Sequence, residues 1–401
     1  MRRLTLAALI LMLIIPCLNA QKKEIAQARS YIKGGNNYDK AEQLMEEQLK
    51  KPENRQNKKM YLLDFEAVRK QYDEQNEKLY LKQKYDTVTL FKAAYRMFSV
   101  LERFDSVDAA PDTKGNIKPK YRKKYSEFLD SYRMNLYYGG NYFVRNHDYK
   151  TAFQLYSSYI NSAIQPLFSD YNYSTHDKNM PTVAYWAVYS GYKMNDANST
   201  LEFVDLALKD SAMADNVLQY QTEAYKLLKD TVNYVSTLKT GFKRFPLFPY
   251  FFARLMDYYS LTNRMNDALA AADSALTVND TLVLFRFAKS TALLNLGRYS
   301  ECIALSDSLI AKNDSLADAY YNAGTAYLNQ AYDMEKSSRP REKRFLIREC
   351  YSKARPYMEK YSKLAPNDTD KWTPGLYRIY LNLNMGKQFD EIDKLINSNK
   401  K

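Results

Sequence analysis

The sequence predicts an all-α fold, a solenoid of stacked helical hairpins, and three observations carry that prediction. Glycine and proline are scarce, at 11 and 12 of 401 residues. Tyrosine is abundant, at 37, and this composition suits helices packed through aromatic side chains. Equivalent residues also recur at a step of 34: Thr200, Tyr234, Ala268 and Cys302 form one ladder, and Tyr225, Tyr259, Leu293 and Tyr327 a second. A step of that size marks repeated units that bury their apolar faces against one another.

Along the chain, residues 1–20 read as a secretory leader. Arg2 and Arg3 precede the apolar residues 4–15, Pro16 breaks the run, and residues 18–20 offer a small-residue cleavage site before Gln21. The apolar run is too short to span a bilayer, which needs roughly 20 residues. The mature chain is therefore expected to be exported, in the periplasm or associated with an outer membrane. Cys17 raises a lipid anchor as an alternative, but Pro16 is not the small residue that such signals carry, so ordinary cleavage is expected. Loss of Arg2 and Arg3 lowers the formal charge from +13 to +11, spread among 46 acids. That surplus suits anionic partners in a general way and is not a nucleic-acid footprint.

After the leader, Ala28, Tyr38, Ala41 and Met45 make one hairpin around a turn at residues 34–37. Residues 60–80 and 87–104 read as helices of a degenerate repeat. Residues 106–120, with Pro111, Gly115 and Pro119, read as a linker or long loop. A regular unit follows at residues 136–163, then an insertion at 166–181, then four to five units in one unbroken register from about Thr182. Near residues 335–349 the register is interrupted by a loop or extended hairpin, resumes at Ala354, Tyr357 and Tyr361, and ends with an amphipathic helix over 389–396 suited to capping the stack. The expected division is 21–105, a linker at 106–120, and a solenoid over 121–401.

Residues 292–304, ALLNLGRYSECIA, carry a helix ending at Gly297, a turn aromatic at Tyr299 and a small residue, Cys302, opening the next helix. With the 34-residue step and Pro246 closing one hairpin, this pattern resembles the tetratricopeptide repeat. The resemblance covers most of residues 136–401 and, weakly, 25–55. Tyr234 and Thr200 depart from it where the family places a small residue. It implies a right-handed superhelix whose concave face, lined by the first helix of each hairpin, binds other molecules. Projected onto that register, Tyr137, Tyr185, Tyr189, Tyr192, Gln219, Glu223, Lys226, Asp257 and Tyr321 face the concave surface, with Arg254 nearby. Tyr185, Tyr189 and Tyr192 share one helical face at i, i+4 and i+7, and packing against the neighbouring hairpin is the alternative use of such tyrosines.

Catalytic chemistry is thin. The only histidines are His147, at an expected turn, and His176, in an insertion, with no HExxH, G-x-S-x-G or phosphate-cradling glycine loop. No enzyme activity, metal or cofactor is expected. Cys302 and Cys350 fall on neighbouring helices, as two buried small residues or as one bridge. The lysines that some tetratricopeptide proteins use to grip a partner's terminal carboxylate are missing from the rows. The basic runs at 114–124 and 336–348 read as solvated loops, with anionic lipid or polysaccharide as the alternative contact.

Asp followed by Ser or Thr and a small or aliphatic residue recurs at Thr87, Ser106, Ser211, Thr231, Ser274, Thr281, Ser308 and Ser315. The pattern resembles the O-glycan acceptor of exported proteins in Bacteroides-like bacteria, whose tetratricopeptide proteins the composition also resembles. Helix capping by the same residues is the competing reading. The expected function is a non-enzymatic cell-envelope scaffold or adaptor binding a protein partner through its concave face. Capture of a glycan or peptide in an outer-membrane nutrient uptake system is the alternative.

Overall fold

A computed structural model of the chain describes residues 21–398, so the leader with its Cys17 lies outside the described residues. The predicted fold class holds: among the described residues there are helices and turns and no strand. Among the described residues, no helix is long and apolar enough to cross a membrane. The described residues form two compact units, divided between Thr237 and Leu238.

In the first unit α1 (residues 21–34) turns at Gly35, φ +80°, into α2 (Tyr38–Lys50), burying Ala28, Ala41 and Met45 completely. Next come α3 (Lys58–Tyr80) and α4 (Thr87–Asp108). The Asp86 side chain caps α4 by accepting from the Val88 and Thr89 amides, one of the standard ways to satisfy a helix's free N–H groups. Residues 109–121 are non-helical. Their two ends are tied down by the forked Arg122–Asp105 pair, at 2.9 and 2.7 Å, and by Asp108, which accepts from Lys58 at 2.9 Å and from the Tyr121 amide at 2.8 Å.

Then follow α5 (Arg122–Asp130), α6 (Arg133–Arg145) and α7 (Tyr149–Asn161). The insertion folds as short 3-10 turns and the single-turn α8 (Tyr173–His176). The hairpin after it pairs α9 (Met180–Lys193) with a second arm broken into α10 (Ala197–Leu201) and α11 (Val204–Ala207). Next are α12 (Ala214–Leu227) and α13 (Thr231–Arg244), and the division between units falls within α13.

The second unit stacks α14 (Pro249–Leu261) with α15 (Met265–Val278), α16 (Val283–Asn295) with α17 (Tyr299–Lys312), α18 (Ala317–Glu335) with α19 (Arg344–Leu364), and α20 (Thr369–Leu383) with α21 (Gly386–Ser398). The interruption expected at 335–349 is the extended hairpin: both helices lengthen, and only residues 336–343 lie between them. Cys302 is buried and Cys350 half-buried, each a free thiol.

The 34-residue step has a backbone cause. Asn195, Lys229, Asn263 and Gly297, each 34 apart, all hold left-handed φ values of +55° to +73°. After each, the next amide reaches back five residues, Asp196 to Gly191, Asp230 to Tyr225, Arg264 to Tyr259 and Arg298 to Leu293, at 2.7–3.1 Å. This Schellman closure satisfies the last carbonyls of each first helix and sets the angle of the hairpin. His147, φ +61°, takes the same position between α6 and α7. Only glycine adopts this conformation without steric cost. Gly297→Ala is therefore expected to lower stability by about 1–2 kcal/mol, and Lys229→Gly to be neutral or mildly stabilising, as read by thermal or denaturant unfolding.

At Thr200, one departure from the repeat, α9 and α10 meet backbone to backbone. A Cβ at Gly191 would lie 2.5 Å from the Thr200 backbone nitrogen, so glycine on α9 lets the α10 backbone approach. The Thr200 hydroxyl donates to the Asp196 carbonyl at 2.7 Å.

Candidate functional site

The first helices of the hairpins carry most of the residues predicted for binding. On α9, Tyr185 is buried, at 8% exposure, and belongs to the core, whereas Tyr189 and Tyr192 are half-buried. All three gather around Tyr220 of α12. Tyr192 lies nearly flat on Tyr220, with centroids 4.5 Å apart and planes at 21°, and Tyr189 and Tyr185 pack at 5.9 and 6.4 Å. Trp186 stands edge-on to Tyr185 and Tyr189, and the Lys193 ammonium lies 5.5 Å from the Tyr189 ring. Burial pushes the Tyr220 and Tyr185 hydroxyls above their ordinary pKa. Sequence reasoning missed Tyr220 and Trp186, although the two are one repeat step apart.

The remaining predicted residues are more dispersed. Gln219, Glu223 and Lys226 share α12, with the Lys226 ammonium 3.8 Å from the Glu223 carboxylate. They are one repeat step beyond Tyr185, Tyr189 and Tyr192, and Asp257 is one step beyond Glu223. Asp257 is exposed on α14, with Arg254 at 3.2 Å. Tyr137 is half-buried against Tyr138 and Tyr156. Tyr321 sits 5.1 Å from Tyr361 with the Lys371 ammonium nearby.

A cleft of about 270 Å³ opens in the second unit between α14 and α16. Met256, Leu284, Phe287 and Ala288 supply apolar walls above buried Phe252 and Ala268, while Asp257, Ser260 and Thr291 bring polar groups. Thr291 is positioned by Asn322, whose side-chain amide reaches it at 3.1 Å and Ser290 at 3.2 Å. The volume lies below the ~300–1,000 Å³ of drug-sized pockets and suits one or two apolar side chains. Of the residues predicted from sequence, this cleft contains Asp257. Its apolar walls were missed because Leu284, Phe287 and Thr291, at i, i+3 and i+7, read as an ordinary packing stripe.

His147 is exposed, with Nδ1 2.9 Å from the Tyr149 hydroxyl, and His176 is exposed on α8. Among the described residues no group of three or more His, Cys, Asp or Glu is placed to hold a metal ion. The Asp-Ser/Thr sites fall mainly at helix starts. Thr231 opens α13 after Asp230, which accepts from the Asn233 amide. Ser211 follows Asp210, which accepts from the Ala212 amide. Asn279 and Asn313, one repeat step apart, accept from the Thr281 and Ser315 amides. Thr87 is the first residue of α4, and Ser106 lies within α4, its hydroxyl bonded to the Glu102 carbonyl. Ser106, Ser211, Thr231, Thr281 and Ser315 are exposed.

No family model matches the chain, and no curated protein matches it. Among solved structures, the C-terminal part of a TPR repeat-containing protein from Cytophaga hutchinsonii aligns at 12% identity and TM-score 0.43, over 65% of this chain and 93% of its own. A TPR repeats protein from Bacteroides fragilis aligns at 18% and 0.32, over 66% and 98%. Yeast Tom70 aligns at 13% and 0.35, over 93% and 91%.

Proposed function

We propose that the chain is a non-enzymatic scaffold or adaptor of the cell envelope that holds a segment of a protein partner against the first helices of its hairpins. The observation that carries this reading is the α14–α16 cleft: a small apolar recess with a carboxylate and two hydroxyls fits a side chain flanked by peptide N–H groups. The envelope location rests on the leader-like residues 1–20. A photo-crosslinking side chain placed at Phe287 is expected to capture a partner that one placed at exposed Lys312, on α17, does not. Phe287→Asp is expected to weaken the captured partner at least about tenfold, roughly 1.4 kcal/mol, with the fold intact because Phe287 is only half-buried. Equal capture from both positions, or unchanged affinity, defeats the assignment.

Glycan capture, the second reading, is favoured by the platform that Tyr192 forms on Tyr220 beside Lys193. Calorimetry with envelope oligosaccharides would give heat for the native chain and none for Tyr192→Ala if this reading holds.

A further inference from the structure

The α18–α19 hairpin is longer than its neighbours, with 19 residues in α18 against 13 in α16, which is about 9 Å of additional helix. Its tip carries a dense basic run. Residues 336–348 contain six basic side chains, Lys336, Arg339, Arg341, Lys343, Arg344 and Arg348, and one acid, Glu342. Phe345 is 80% exposed and Leu346 50% exposed, standing among those charges.

The fold makes little use of these groups, apart from the Lys336 ammonium, which lies 4.2 Å from the Tyr332 ring centroid. Glu342 meets only Arg339, at 3.7 Å, with both side chains mostly in solvent. The flanking acids are taken elsewhere: Glu335 accepts from Tyr351 and Arg378, and Glu349 from Lys353. The first turn of α19 has no acidic residue, so Lys343 and Arg344 oppose the helix dipole rather than complement it. An exposed aromatic and a half-exposed leucine amid basic side chains that outnumber their one acid cost stability and return little to packing.

We propose that this tip docks on the surface of an anionic phospholipid bilayer. Phe345 and Leu346 enter the boundary between headgroups and acyl chains, and the surrounding arginines contact the phosphates. Charge alone would suit any acidic partner. The pair of outward apolar side chains ringed by arginine is what fits a bilayer, since it matches charged headgroups lying over a hydrocarbon layer. The surface is separate from the α14–α16 cleft and does not depend on what that cleft holds.

Co-sedimentation of the full chain with vesicles of phosphatidylcholine, with and without phosphatidylglycerol, tests it. Binding is expected to be at least tenfold stronger on the anionic vesicles and to weaken as salt is raised. The triple variant Arg339→Glu, Arg341→Glu, Arg344→Glu is expected to lose at least tenfold. Phe345→Ser with Leu346→Ser, which keeps every charge, is expected to lose several-fold with unchanged helix content. A tryptophan introduced by Phe345→Trp is expected to shift its emission to the blue on anionic vesicles. Residues 1–20 are shared by all variants, so any binding they provide, including attraction of Arg2 and Arg3 to anionic lipid, leaves the differences between variants intact. Equal binding by the native chain and the triple variant overturns the proposal. So does a chain that binds polyglutamate with the same sensitivity to the arginines while Phe345→Trp shows no shift on vesicles, which would assign the tip to an acidic protein.

Discussion

Replacing Arg133 by alanine is expected to lower the stability of the first unit by about 3–5 kcal/mol, the cost of removing one partner from a buried ion pair. Arg133 is 5% exposed on α6 and anchors the insertion that separates the α6–α7 hairpin from α9. Its guanidinium bonds Asp177 at 2.6 Å, the Ser162 hydroxyl at 2.8 Å and the Tyr159 carbonyl at 3.1 Å. It also lies 3.7 Å from the Tyr159 ring centroid and 3.8 Å from that of Tyr173. Alanine would leave the Asp177 carboxylate buried with only the Tyr159 hydroxyl, at 2.7 Å, and the Asn179 amide, at 2.8 Å. Burial raises the Asp177 pKa, but the bonds from Tyr159 and Arg133 outweigh it and hold the carboxyl below its ordinary value. A depressed acid contributes stability above its unfolded pKa near 4, and this is lost as pH falls through the folded value. The native unit is therefore expected to unfold more readily in acid, and denaturant titrations across that range should show a shallower loss in Arg133→Ala. Arg133→Lys is expected to recover only part of the loss, because an ammonium cannot reproduce the fork or the stacking between two rings.

The second large effect has the opposite sign. Asp64 on α3 has no solvent exposure, and neither carboxylate oxygen accepts a hydrogen bond. Its nearest cation is Arg103 at 3.7 Å. Burial, then Glu46 and Glu42 of α2, push its pKa up to about 8, against the opposing pull of Arg103 and Arg96. The folded state thus keeps a proton that the unfolded chain releases near pH 4, so stability falls as pH rises between about 4 and 8. Asp64→Asn, which cannot ionise, is expected to match the native chain near pH 4 and exceed it by on the order of 3 kcal/mol near pH 8. Equal unfolding midpoints at pH 8 would show that the carboxyl finds a partner or a water when ionised.

Much of the fold was legible because the features that repeat are local. A left-handed residue and a Schellman closure recur every 34 residues, and Asn or Gly holds three of the four left-handed positions, with an Asp cap after the first two. The helices α3 and α4 were legible as helices but not as a repeat. They are 23 and 22 residues long and bury Met60, Met97, Phe98 and Phe104 in place of the small-residue ladder. The candidate site was less visible, since exposure depends on neighbours that no single helix specifies. Tyr185, Tyr189 and Tyr192 do share a face, yet Tyr220 and Trp186 decide how much of each ring remains open. The cleft walls Leu284 and Phe287 are chemically ordinary, and only the spacing of α14 from α16 makes a recess of them. Arg133 and Asp64 were invisible for a related reason: a charged residue in an amphipathic helix reads as surface until its surroundings are known.

Hydrogen–deuterium exchange of the full chain, with and without the partner captured from Phe287, tests the groove assignment most directly. Slower exchange confined to residues 252–260 of α14 and 284–291 of α16 is the expected result. Protection confined to α15 and α17, with α14 and α16 unchanged, would contradict binding on the first helices.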